Sequence, residues 1–246
     1  EIETNNFVTS LKELPKTKII LCDITPKQLV AIAGDKLEKK YIQSMNKFRY
    51  GAGIFKIDWA LNGPVPWLSK DCHKAGTIHL GGTSLEIARS EQEVSNGKHP
   101  DNPYVLIGQQ SLFDQTRAPD GKQTLWGYCH VPNGSTKDMT NAIENQIERF
   151  APGFKDLIIQ KAVKTTEDMQ QYNPNYIGGD IAGGIQDYKQ LFTRPDWSIT
   201  PYATSTKGLY LCSSSTPPGS GVHGMCGYQA AKVALKRELN HTIKAL

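Results

Sequence analysis

Residues 208–231 (Gly-Leu-Tyr-Leu-Cys-Ser-Ser-Ser-Thr-Pro-Pro-Gly-Ser-Gly-Val-His-Gly-Met-Cys-Gly-Tyr-Gln-Ala-Ala) limit what this chain can fold into more than any other stretch. Leu209 to Cys212 is short and uniformly apolar, the pattern of a strand buried on both faces of a sheet. Serines, Pro217-Pro218 and glycines at 219, 221, 224 and 227 follow it. A helix is then predicted from about Val222 or Met225 through Ala234. A helix N-terminus offers unsatisfied N–H groups and a partial positive charge. Glycines ahead of it let an anionic or electron-rich ligand edge approach the backbone. Ile19 to Cys22 repeats the compact apolar pattern.

The rest of the chain has a different grammar. Phe7 to Leu11 and Lys18 to Cys22 read as strands, followed by a helix that has Pro26 in its first turn and runs through Ala33 to Gly34. Ile54 to Leu61 alternates as a half-buried strand and is stopped by Asn62-Gly63-Pro64. Thr77 to Leu80, Tyr104 to Gln109 and Thr124 to Val131 are further strands. Ser84 to Ser95 is a helix capped by Thr83 or Ser84, and Asp138 to Phe150 an amphipathic one. Phe154 to Val163 reads as a helical turn feeding a strand, and Thr165 to Tyr172 as a short helix. Hairpin-like and irregular connections predominate over βαβ units. The fold class is therefore α+β of mixed α/β character, a mixed, largely antiparallel sheet with helices flanking it. The four glycines of Asn173 to Gly184 fit either a surface loop or a loop passing close to a ligand.

Composition removes several classes of function. The net charge of +4 is small, and the cluster Lys232 to Arg237 beside Glu238 reads as a solvated helix face, so no nucleic-acid partner is expected. No apolar run approaches the roughly 20 residues of a transmembrane helix, and a cytoplasmic, at most membrane-peripheral, location is expected. The five cysteines include no CxxC pair, so neither a metal site nor a disulfide framework is expected. His223 and Cys226 could meet on a helix start as a base and a thiol nucleophile, but no orienting third group is evident.

Residues 208–231 resemble the C-terminal flavin-contacting motif of the phytoene desaturase-like family of FAD-dependent oxidoreductases, within the amine oxidase superfamily. Further blocks match in family order: Asp23-Ile-Thr-Pro-Lys-Gln-Leu29, the stretch from Tyr50-Gly-Ala-Gly-Ile to Pro66-Trp67, Gly76-Thr-Ile-His-Leu-Gly-Gly82, Asp114 to Gly121, Trp126-Gly-Tyr-Cys-His-Val-Pro132 and Asn173 to Gly184. The resemblance implies an FAD cofactor and hydride removal from, or saturation or isomerisation of, an organic, apolar substrate. It implies that Ser214 and Ser215 meet the ribityl or phosphate region of the cofactor. Gly221, Val222, His223, Gly224 and Met225 would approach the flavin ring, and Lys56 and His130 would border the substrate cavity.

That family opens with a strand, a GxGxxG turn and a helix that hold the FAD pyrophosphate. The chain starts at Glu1 and is read as carrying no GxGxxG, so we expect the C-terminal half of such an enzyme, unable to bind FAD well alone. Residues 1–34 would then be a remnant of a Rossmann-like FAD-binding domain, 35–200 the substrate domain, and 201–246 the returning strand and helix of the first domain, so residues 1–26 and 208–234 would meet in one sheet although far apart in sequence. The N-terminal FAD-binding half is the expected partner. A homodimer through the uncovered sheet edge, or fraying of that remnant, follows if the partner is lacking. A module binding some other nucleotide through residues 219–227 is the rival reading.

Overall fold

The computed structural model describes residues 1–191 and 193–242. Among these the chain forms two compact units, one from residues 1–51 with the described part of 182–246, the other from 52–181.

The first unit begins with β1 (Ile20–Cys22), α1 (Pro26–Ala33) and α2 (Lys39–Asn46). Pro26 occupies the first turn of α1, where its missing N–H costs nothing. The strand expected over Phe7 to Leu11 does not form. Leu11–Glu13 is a single 3-10 turn, held by the Ser10 cap and by Thr9, whose N–H and hydroxyl both donate to the Glu13 carboxylate. Local side-chain bonds of this kind compete with a ladder.

The middle unit contains β2 (Gly53–Leu61), β3 (Thr77–Leu80), α3 (Ser84–Ser95), β4 (Val105–Gly108), β5 (Gln123–Val131), α4 (Thr140–Phe150), β6 (Ile158–Lys164) and α5 (Thr166–Tyr172). Its five strands lie in the order β3-β4-β5-β2-β6, every neighbouring pair antiparallel. The fold class read from the sequence is the one observed. Alternate residues of the central strands, Phe55, Ile57, Trp59 and Leu61 with Leu125, Cys129 and Val131, are buried against Ile143 and Ile147 of α4. Two interior carboxyl and amide groups are satisfied by indoles: Trp59 Nε1 donates to Glu144 (3.0 Å) and Trp67 Nε1 to Gln109 (3.0 Å). Lys161 reaches the same Glu144 carboxylate at 2.8 and 3.0 Å, so the buried charge is paired as well as hydrogen-bonded. Thr83 and Glu86 cap α3 reciprocally, as Thr165 and Asp168 cap α5.

The chain then returns to the first unit through α6 (Tyr188–Leu191), β7 (Leu209–Leu211) and α7 (Met225–Leu239). β7 pairs in parallel with β1, Ile20 opposite Leu209 and Cys22 opposite Leu211, which is the long-range meeting that the resemblance implies. Leu209 and Leu211 share a small core with Leu29, Ala33 and Leu37. α7 buries Cys226, Ala230 and Ala234, small residues four apart on one stripe. Glu238 near its end accepts from the Tyr210 hydroxyl at 2.9 Å, fixing the helix to β7. No helix among the described residues is long and apolar enough to cross a membrane.

Candidate functional site

The loop between β7 and α7 is held from below by an internal lattice of hydrogen bonds. Ser213 Oγ donates to Ile24 O (2.7 Å), just past β1, and Thr216 Oγ1 donates to Ser213 O (2.7 Å). Ser215 is fully buried and its hydroxyl donates to Gly183 O at 2.7 Å, so that group points into the protein. The Ser214 carbonyl accepts from Nε (3.1 Å) and Nη2 (2.8 Å) of Arg194, whose guanidinium is itself buried and also donates to Gly183 O and Ile185 O, each at 3.0 Å. One planar fork thus ties the serine loop to the glycine loop 183–185. Gly183 and Gly184 have φ of 69° and 126°, and a side chain on Gly184 would overlap the Phe48 ring. The glycines expected to allow close approach do so here toward protein groups. Nothing in the residue spacing announces Arg194, because its partners are carbonyls.

Beyond this lattice the loop is open. Gly221, Val222, His223, Gly224 and Met225 are all exposed, Val222 completely. Gly224 takes φ 63° as the N-cap of α7, a left-handed conformation suited to glycine. The Met225 N–H donates to His223 Nδ1 at 3.0 Å, so the imidazole satisfies one orphan donor of the first turn. That turn holds no acidic residue, and the space beside Gly227 is empty. Its charge and shape suit an electron-rich ligand edge. The thiol–imidazole pair does not assemble: Cys226 is buried with its thiol toward the Thr216 and Gly219 carbonyls, each at 3.4 Å.

One sequence expectation needs correction. Gly219-Ser-Gly-Val-His-Gly224 does spell GxGxxG, so the letters are not absent from the chain. Their setting differs from a pyrophosphate fingerprint, in which the strand runs straight into the turn and the helix begins within it. Here β7 ends at Leu211, the serine and proline segment intervenes, and α7 begins only at Met225.

The two residues expected at a substrate cavity lie in the middle unit, on the sheet face opposite its core. Cross-strand register sets Lys56 against Tyr128 and Ile54 against His130. Lys56 pairs with Asp58, and its Nζ lies 5.9 Å from the Trp126 ring centroid. His130 Nδ1 is 2.8 Å from Glu91 Oε2 of α3. On the same face of β5 stand Trp126 and Tyr128, half-buried, with ring planes 11° apart and centroids 6.3 Å apart. Burial, more than the nearby Tyr104 and Glu91, pushes the Tyr128 phenol above its ordinary range.

The chain is 27% identical over 192 residues to the rat (Rattus norvegicus) pyridine nucleotide-disulfide oxidoreductase domain-containing protein 2, covering 70% of the chain and 32% of that protein. It is 22% identical over 197 residues to the neurosporene-forming phytoene desaturase of Rhodobacter capsulatus, covering 75% of the chain and 36% of the desaturase. This chain is similar to oxidoreductases of the phytoene desaturase-like group. It spans about a third of the length of these curated relatives. No family model matches it. The crystal structure of an oxidoreductase from Methanosarcina mazei superposes with a TM-score of 0.54 at 11% identity, over 91% of this chain and 44% of that one, a likeness of fold.

Proposed function

We propose that this chain supplies the substrate-binding sheet and the closing strand–loop–helix of a cytoplasmic, FAD-dependent oxidoreductase of phytoene dehydrogenase-like type. The observation that carries the reading is the parallel β1–β7 pair leading through the 212–224 loop into an open, acid-free first turn of α7. When bound, the flavin would exchange hydride equivalents with an organic substrate. The exposed 221–225 segment and the N–H groups of the first turn would face its electron-rich edge, where negative charge develops on reduction. Half-buried Ser214 would border the ribityl or phosphate region, whereas the N–H and hydroxyl of Ser215 are taken by Ser213 and Gly183. Lys56 and His130 would border the substrate.

The pyrophosphate-holding turn is proposed to come from a separate N-terminal half, which would extend the two-stranded β1–β7 sheet at its open edge. A second copy pairing there is the alternative use of that edge. Calorimetric titration of FAD into the 246-residue chain is expected to give no sub-micromolar binding, while the product of the whole reading frame purifies with flavin absorption bands near one per chain. A sub-micromolar dissociation constant for the chain itself would overturn the split site. A whole product without flavin would overturn the oxidoreductase reading.

A further inference from the structure

Gly76-Thr-Ile-His-Leu-Gly-Gly82 is a block that the flavin-facing loop does not use, and in the middle unit its residues line a pocket of about 360 Å3. Trp67, Leu68, Leu80, Ile87 and Phe150 make most of the wall apolar. The 67–75 segment is clamped in place. The Leu68 N–H donates to Phe150 O at 3.0 Å. The buried Gln109 side chain accepts from the Trp67 indole and donates to the Cys72 and Ala75 carbonyls, each at 2.6 Å. A Cβ on Gly81 would overlap the Ile87 side chain and crowd the Tyr104 ring, so the glycine lets these two wall residues lie against the chain. The polar part of the wall is concentrated at His79 and Tyr104. β3 is an outer strand of its sheet, and the Gln109 N–H donates to Gly76 O at 2.9 Å. Gly76, Ile78 and Leu80 are therefore the residues bonded to β4, and the main-chain groups of His79 face away from it. His79 Nδ1 and the Tyr104 hydroxyl are hydrogen-bonded to each other, their ring centroids 5.6 Å apart. Burial, with Glu91 second, pushes the Tyr104 phenol above its ordinary range. One proton joins the pair, so in either imidazole tautomer it keeps a donor and an acceptor for a third group. Among the described residues, no Asp, Glu, Lys or Arg lines the pocket.

We propose that this pocket binds a compact, neutral molecule with an apolar body and one hydroxyl, the hydroxyl meeting the His79–Tyr104 pair. The volume lies near the lower end of the roughly 300–1,000 Å3 of ligand pockets, which limits the occupant to a small one. An ionised ligand would lose its hydration against a wall that offers no opposite charge. A hydroxyl both donates and accepts, so it suits the pair in either tautomer, whereas a hydrocarbon would cover those groups and leave them unpaired. Neither Lys56 nor His130 lines this pocket, and the proposal does not rest on the flavin reading.

The test titrates 2-naphthol into the flavin-free 246-residue chain at neutral pH, following methyl NMR signals to locate the binding. Naphthalene supplies the same rings without the hydroxyl, and 2-naphthoate the same rings with a charge. Saturable one-to-one binding of naphthol that shifts the Leu80 and Ile87 methyls is expected, several-fold tighter than naphthalene and about tenfold tighter than naphthoate. Leu68→Asp, at a side chain 71% exposed, should weaken it about tenfold while the chain stays folded, and Tyr104→Phe, which keeps the ring, several-fold. Melting curves check the fold of both variants. No saturable binding, shifts confined to other methyls, equal affinity for either comparison ligand, or unchanged affinity in both variants would overturn the proposal. The assay contains no flavin, so its outcome is separate from that of the FAD titration.

Discussion

Arg194→Met is the most informative single perturbation of the loop that precedes α7. Arg194 is 3% exposed and its guanidinium donates at 3.1 Å or less to three carbonyls, those of Gly183, Ile185 and Ser214, while its Cζ lies 5.7 Å from the Phe48 ring centroid. Methionine fills most of the volume and removes every one of these donors. A buried acceptor deprived of its donor costs about 1–3 kcal/mol, so three of them cost about 3–9 kcal/mol. Removing a desolvated cation returns part of that. We expect a net loss of about 3 kcal/mol, a large part of the 5–15 kcal/mol typical of a domain. Arg194→Lys keeps the charge but not the planar fork, and should recover no more than about half. Urea unfolding gives the magnitude, and amide hydrogen exchange over 213–219 gives the location, since the released serine loop should lose protection first. A loss below about 1 kcal/mol, or unchanged exchange over that loop, would show that the loop is held by something other than this fork.

In the middle unit, Lys161→Met leaves the Glu144 carboxylate, in a residue 5% exposed, with only the Trp59 N–H. Lys161 is itself partly exposed, so the cost should fall below the range for fully buried pairs, at about 2 kcal/mol. Thermal unfolding measures it, and Glu144→Leu combined with Lys161→Met should restore most of the loss; a double variant weaker than the single one would refute the pairing. Arg149, with the Thr83 N–H second, holds the Glu86 carboxyl at about 2, down from its ordinary 4.5. A depressed carboxyl stabilises the fold fully above its unfolded value and loses that contribution as pH falls toward the folded one. The melting-temperature gap between the native chain and Glu86→Gln should therefore narrow from pH 5 to pH 2, and a constant gap would remove the ion pair from the account.

The parts of the fold written in local chemistry were legible. A Thr83 cap announces α3 because an N-cap is a local signal, and the alternation of 54–61 and 124–131 announces β2 and β5 because each has one buried face. The helix α2 went unread: Tyr41, Ile42 and Met45 mark one face, but over only eight residues without a side-chain cap the stripe is short. Phe7 to Leu11 failed in the opposite direction, because a strand-like composition is no strand without a neighbour to pair with. The Trp126–Tyr128 pair was half visible. The two stand at alternate positions in the sequence, but Gly108, which leaves room for the indole, is on a different strand, and only the register brings it there.

The loop ahead of α7 shows why matching letters is weaker than matching geometry. GxGxxG holds a pyrophosphate because its first glycine turns the chain directly out of a strand and its later ones let the helix start against the ligand. In 219–224 the same letters come after a segment already committed to Ile24, Gly183 and Arg194, and the helix starts after the last glycine. What stays available to a ligand is the outer part alone, residues 221–225 and the first N–H groups of α7, one of them already capped by His223. Under the proposed function this surface would meet one edge of a flavin and leave its phosphates to another segment, which is why the chain alone is expected to bind FAD weakly.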